Sequence, residues 1–171
     1  MSTVSSENID HYWKVFLDQV QSDLTFMFGP GTEVENSCSL TWKGRMLVFG
    51  GYTHTRQISE VDGCGLIRLD HDLPFDLYRG ACATYDSDMM LFCFDRSDTK
   101  ACWTSSDLYN FEKTDDSFYK HEYIQIAASD EKRGVLAVGS CCGSGGHAFT
   151  EMYDYRTQGW NEKQKFPYLP V

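Results

Sequence analysis

The stretch Ser39 to Gly51, SLTWKGRMLVFGG, decides the fold. It gives a short strand, a tight turn at Lys43-Gly44, and a second strand of β-branched and aromatic residues that stops at Gly50-Gly51. Adjacent glycines after an apolar run mark a backbone that needs torsions a Cβ forbids, or one that a neighbouring strand crowds. The same hairpin returns as ACATYDSDMMLFCFD at 81–95 and as IQIAASDEKRGVLAVGS at 124–140.

The spacing of these returns is regular. Leu47, Leu91 and Leu136 stand 44 and 45 residues apart, a period that belongs to propeller blades or solenoid turns. Each hairpin continues into two more strand-like pieces. Arg56 to Asp62 and Gly65 to Asp70 follow the first, closed by Leu73-Pro74-Phe75. Lys100 to Thr104 and Tyr109 to Lys113 follow the second. Phe149 to Tyr155 and Gly159 to Lys163 follow the third, closed by Phe166-Pro167-Tyr168. Four short strands per unit, separated by turn residues, predict an all-β chain of three blade-like antiparallel units at 34–78, 79–121 and 122–171. The segment 1–33 stands apart. Ile9, Trp13, Phe16, Val20 and Leu24 recur at helical spacing behind Asp10, which predicts a short helix. The competing reading makes 11–17 a strand left over from a preceding blade; in either reading 24–28 is a short strand ended by Gly29-Pro30-Gly31.

The third unit carries Tyr153-Asp154-Tyr-Arg-Thr-Gln-Gly-Trp160, which resembles the Tyr-Asp…Thr…Trp segment of the kelch repeat, and Gly50-Gly51 resembles the kelch double glycine. The likeness covers about residues 35–169 and is uneven. Phe94-Asp95 and Gly139-Ser140 stand where the later glycine pairs belong, and Leu69 and Phe111 stand near the positions of the missing tryptophans. The resemblance implies a partial kelch-type β-propeller in which Gly50, Gly51, Tyr153, Asp154 and Trp160 are structural, with Tyr153 and Trp160 packed between blades. The segment from Cys64 through Leu73-Pro74-Phe75 and Gly80-Ala81-Cys82 to Leu91-Phe92-Cys93-Phe94 also resembles a group of kelch-like invertebrate proteins held to be extracellular. A WD-type propeller has a similar period, but no Trp-Asp dipeptide occurs, and an immunoglobulin-like sandwich would not repeat every 44 residues.

Composition narrows the function classes. With 42% hydrophobic and 15% aromatic residues, the 171-residue chain can bury a core. A net charge of −10 argues against nucleic-acid binding, which rests on Lys and Arg neutralising phosphates. It favours a protein partner with a basic patch. The longest apolar run, Met89 to Phe94, has the length of a strand, so no membrane insertion is expected. The N-terminus MSTVSSENID shows no signal-peptide pattern. The family resemblance implies an extracellular location if that N-terminus is incomplete.

Seven cysteines allow three disulfides at most. Cys38 and Cys82 lie nine residues before Leu47 and Leu91, with Ala127 nine before Leu136. They read as equivalent small buried residues in successive hairpins. Cys93 and Cys102 face each other if the intervening loop centres on Ser97-Asp98, so a disulfide can join them, and Cys64 and Cys82 bracket a unit connection and offer a second bridge. Cys141-Cys142-Gly-Ser-Gly-Gly-His147 places two thiols and an imidazole in one loop, the candidate for a soft metal, without zinc-type ligand spacing. Asp95, Asp98, Asp115 and Asp116 read as solvated turns, lacking calcium-loop spacing. The histidines His11, His54, His71, His121 and His147 are scattered, and neither a Gly-x-Ser-x-Gly elbow nor a His-Glu-x-x-His motif occurs.

The expectation is therefore a non-enzymatic kelch-like module without cofactor, binding a protein partner through loops on rigid blades. The alternative is a metal-binding or redox protein using Cys141, Cys142 and His147. Three blades are too few to close a ring. The chain is accordingly expected to be a piece of a larger propeller, or to pair with a second copy as a homodimer of six blades.

Overall fold

The computed structural model describes residues 36–63, 65–85, 88–121, 126–130, 134–138 and 150–161. All of them fall in the compact unit Glu33–Val171. The helix or remnant strand expected at 1–33 lies outside the described residues. Twelve strands form three antiparallel sheets, each laid down in chain order, and there is no helix among the described residues. The first sheet holds β1 (Cys38–Trp42), β2 (Arg45–Phe49), β3 (Gln57–Asp62) and β4 (Gly65–Asp72). The second holds β5 (Ala81–Tyr85), β6 (Met89–Asp95), β7 (Asp98–Ser105) and β8 (Glu112–Lys113). The third holds β9 (Ile126–Asp130), β10 (Gly134–Val138), β11 (Thr150–Asp154) and β12 (Gly159–Asn161). First strands are neighbours: β1 lies against β5, and β5 against β9.

Alternation along β6 shows how one sheet serves two cores. Met90 and Phe92 pack into a cluster with Leu40, Trp42, Leu47 and Phe49 of the first sheet. Leu91 and Cys93 point the other way, into a cluster with Val135, Ala137, Tyr153 and Trp160 of the third. Val48 and Ser59, which point away from the second sheet, and Met152, on the far face of the third, are also buried.

The glycine pair is a crossing point. Gly50 is left-handed (φ 65), and a Cβ there would lie 1.9 Å from the Leu77 carbonyl oxygen. The Gly51 N–H donates to that same oxygen at 3.1 Å. The segment crowding β2 is thus the connection from β4 to β5. The second sheet repeats the torsion without the glycine: Phe94, at the matching position, also has φ 65 and is fully buried. The repeat extends to the hydrogen bonds that hold each connection. Leu73 and Leu77 donate to the Arg56 and Thr55 carbonyls, and Ser117 and His121, 44 residues on, donate to those of Lys100 and Thr99.

The cysteines correct two readings. Cys38 and Cys82 are joined to each other, Cα to Cα 5.8 Å, not buried as free thiols, and Cys82 is thereby taken from the expected Cys64 bridge. Cys64 itself lies outside the described residues. The cause is register. Trp42 pairs with Arg45 across two turn residues, whereas Tyr85 pairs with Met89 across three. Counting nine back from each leucine therefore reaches the partner of Phe49 in one hairpin and the partner of Phe92 in the other. Phe49 and Phe92 face each other between the sheets, 4.8 Å apart, and their cysteine partners do likewise. One residue of register reverses the face. Cys93 and Cys102 sit directly opposite on β6 and β7 and are bridged, with Cα atoms 4.2 Å apart. The turn falls at Arg96-Ser97, one residue earlier than expected, and the bulge at Phe94 restores the pairing.

Two measurements check these points. Gly44 has an open surrounding at φ 76, so Gly44→Ala should cost only the left-handed penalty of about 1–2 kcal/mol. Gly50→Ala adds a backbone collision and should cost about 1–3 kcal/mol more. Equal losses in urea melts would mean that Leu77 does not crowd β2. Tryptic mapping without reductant should recover peptides linked through Cys38–Cys82 and Cys93–Cys102. A Cys64–Cys82 peptide would show that the register between the first two sheets is wrong.

Candidate functional site

Cys141, Cys142 and His147 lie outside the described residues, as do His11 and the Phe166-Pro167-Tyr168 closure. Among the described residues no group of three or more His, Cys, Asp or Glu side chains is arranged to hold a metal ion. The segment 153–160 of the third sheet is ordered by its own side chains. Asp154 accepts the Arg156 N–H at 2.9 Å, fixing the turn between β11 and β12, and Tyr153 pairs with Trp160 across it. Their rings meet edge to face at 5.6 Å, and Trp160 packs on Phe94 of the second sheet at 5.5 Å. Burial pushes the Tyr153 phenol well above its ordinary pKa, with the neighbouring Tyr85 adding to the shift.

The chain's buried polar centre was not legible in the sequence. Glu151 on β11 is 1% exposed and His121, at the end of the connection from β8, is 0% exposed. The carboxylate accepts from His121 Nε2 at 2.8 Å, from the Tyr119 N–H at 2.8 Å and from the Phe118 N–H at 2.9 Å. A buried carboxylate is tolerable when its lone pairs are filled in this way. The ladder places Glu151 opposite Ala137, and Trp103 opposite Phe92. Trp103 does the same job by other means, stacking on Phe75 of the first connection at 4.1 Å. In both cases a third-strand side chain grips the connection arriving from the previous sheet. The separations, 11 residues from Phe92 to Trp103 and 14 from Ala137 to Glu151, differ because the loop after β10 is longer. Counting along the repeat therefore misses Glu151.

A second polar arrangement lies where the first connection runs between the ends of β2 and β6. Leu77 donates to Thr55 O, and its carbonyl accepts from Gly51. Tyr78 donates to Asp95 Oδ1 at 2.7 Å, and its carbonyl accepts from the Arg96 N–H at 3.1 Å. The Arg79 N–H donates to Asn36 O at 2.9 Å. Asp95, read from sequence as a solvated turn, is in fact buried. It also accepts from the backbone N–H and the hydroxyl of Ser97. Asp98 does cap an exposed turn, and Asp116 pairs with Lys113 at 3.3 Å in solvent. Above this clamped backbone the Tyr78 ring carries Arg79 and Arg96 guanidiniums at 5.1 and 5.6 Å, with Tyr52 5.7 Å away.

No family model matches the chain, and no curated protein matches it.

Removing the Glu151 carboxylate takes the acceptor from the Phe118 and Tyr119 N–H groups and from His121 Nε2. Glu151→Ala should cost about 1–3 kcal/mol for each donor left unsatisfied. Urea melts check this, and a loss below about 1 kcal/mol would mean that the carboxylate is not the grip on the second connection.

Proposed function

We propose that the three sheets are blades of a kelch-like β-propeller, and that the chain is a non-enzymatic interaction module whose loops bind a protein partner. Several features support the blade reading. Each sheet is a four-stranded meander, the first strands are adjacent, and every connection is held both by its own sheet and by the third strand of the next. Such a scaffold lets loop side chains change without disturbing the core.

The observation that carries the binding reading is where large apolar side chains are exposed. Of the four exposed large hydrophobics among the described residues, Tyr52, Tyr109 and Phe118 stand in loops or connections, and only Ile67 stands on a strand. The two buried carboxylates among the described residues, by contrast, are committed to holding backbone: Asp95 to Tyr78 and Ser97, Glu151 to Phe118 and Tyr119. That distribution suits a recognition surface on a stiff frame better than a reacting centre.

A photo-crosslinking residue at position 52, with one at position 67 as control, tests the reading on the intact chain. A discrete protein adduct is expected from position 52 and not from 67. Equal labelling from both, or none from either, would overturn loop-face binding. Stoichiometric copper or zinc in protein purified without chelator would overturn the non-enzymatic reading in favour of metal chemistry.

A further inference from the structure

We propose that Cys38–Cys82 is a redox-sensitive clasp between the first two sheets, opened by a dithiol reductant while the fold persists, and that Cys93–Cys102 is closed to the same reagent. The inference is independent of what the loops bind.

The two bonds differ in what surrounds them. Cys93 and Cys102 are each 0% exposed, sealed in the cluster that Val135, Ala137, Tyr153 and Trp160 complete. Cys38 and Cys82 lie at the margin of the other cluster and are only half-buried. Thiol–disulfide exchange needs a thiolate to reach a sulfur, so access decides which bond reacts. At the clasp, one thiolate of the reductant attacks a sulfur, the Cys38–Cys82 bond breaks, and the released sulfur takes up a proton. The second thiol of the reductant then displaces the cysteine held in the mixed disulfide. Two cysteine thiols remain, and the reductant leaves as a cyclic disulfide, having given up two electrons and two protons.

Ties on either side of the clasp keep the sheets together when it opens. Beyond one end of β1, the Arg79 N–H donates to Asn36 O at 2.9 Å and its Nε donates to Asn36 Oδ1 at 3.0 Å. At the other end, the Trp42 indole N–H donates to Asp88 O at 2.9 Å, and Lys43 Nζ lies 3.6 Å from Asp88 Oδ1. Between the sheets the fully buried rings of Phe49 and Phe92 meet at 4.8 Å. None of these contacts passes through the disulfide. Phe49 and Phe92 are also the ladder partners of Cys38 and Cys82. The packed rings therefore hold the two reduced thiols at facing positions, where closing the 44-residue loop again costs little further chain entropy. What reduction removes is the covalent tie between β1 and β5. The reduced β1 then opens more often by local unfolding, where the oxidised strand is pinned to its neighbouring sheet.

The test is differential alkylation of the full chain without denaturant. Thiols free in the oxidised protein are blocked first, then dithiothreitol is added and newly freed thiols are trapped with iodoacetamide over time. Cys38 and Cys102 fall in different tryptic peptides, residues 15–43 and 101–113, so each reports its own bond. Cys38 should be trapped at least about tenfold faster than Cys102, which reacts only through opening of the fold. In concentrated urea the two rates should converge. Equal rates in the native state, or release of neither bond before unfolding, overturns the proposal. The chain reduced at the clasp alone should keep its near-ultraviolet circular dichroism, and oxidised glutathione should restore the same bond. Loss of that signal would show that the bond holds the fold, and the clasp reading fails. In Cys38→Ser with Cys82→Ser, amide hydrogens of 38–42 should exchange faster than in the oxidised parent, with those of 89–95 unchanged. The selectively reduced parent gives the same comparison without substitution, and unchanged exchange across 38–42 there overturns the claim that the clasp governs β1.

Discussion

The structure depends on a crossing of backbones. Each connection leaves the last strand of its sheet, runs back over the end of the second strand, and enters the next sheet. At the crossing, Leu77 O lies where a Cβ on residue 50 would be, and the chain there is left-handed. Glycine meets that demand without strain at Gly50. In the second sheet the same torsion falls on Phe94, whose ring is used as packing against His121 at 4.6 Å and Trp160 at 5.5 Å. The strain is held by a large buried aromatic at the junction of the second and third sheets.

A connection that crosses a sheet end exposes or buries many peptide groups, and buried ones must be bonded. The first connection solves this with strand-end N–H groups and with Asp95. The second solves it with Glu151 and His121. These acidic groups stabilise geometry by filling backbone donors of the connections, and both carboxylates are buried in a chain that carries 25 acidic residues. The grip of one sheet on the connection before it is therefore aromatic in one place, Trp103 on Phe75, and a set of hydrogen bonds to a carboxylate in the next. The position is repeated although its chemistry is not.

The disulfides mark the same junctions. Cys38–Cys82 ties the first strands of the first two sheets, and Cys93–Cys102 ties adjacent strands on the face toward the third. A cross-link between strands distant in sequence restricts the unfolded chain more than one closing a short loop, so the 44-residue closure contributes more than the nine-residue one. Both sit beside large rings, Phe49 and Phe92 in one case and Phe94 in the other, so cross-link and packing reinforce each other.

The sequence by itself determined the all-β class, the three four-stranded units, the hairpin at Lys43-Gly44, and the special role of Gly50-Gly51. These follow from local periodicity and from torsions that only certain residues tolerate. The facing of Cys93 and Cys102 was also within its reach, although the bulge at Phe94 that produces it was not. Tertiary structure alone decided that Cys38 bonds Cys82, because the face a side chain takes depends on one residue of turn length, which an offset from a leucine does not record. It alone decided that Asp95 is buried and that Glu151 holds the second connection. A carboxylate looks the same in a sequence whether it faces water or a row of N–H groups, and only the packing of a distant segment against it tells the two apart.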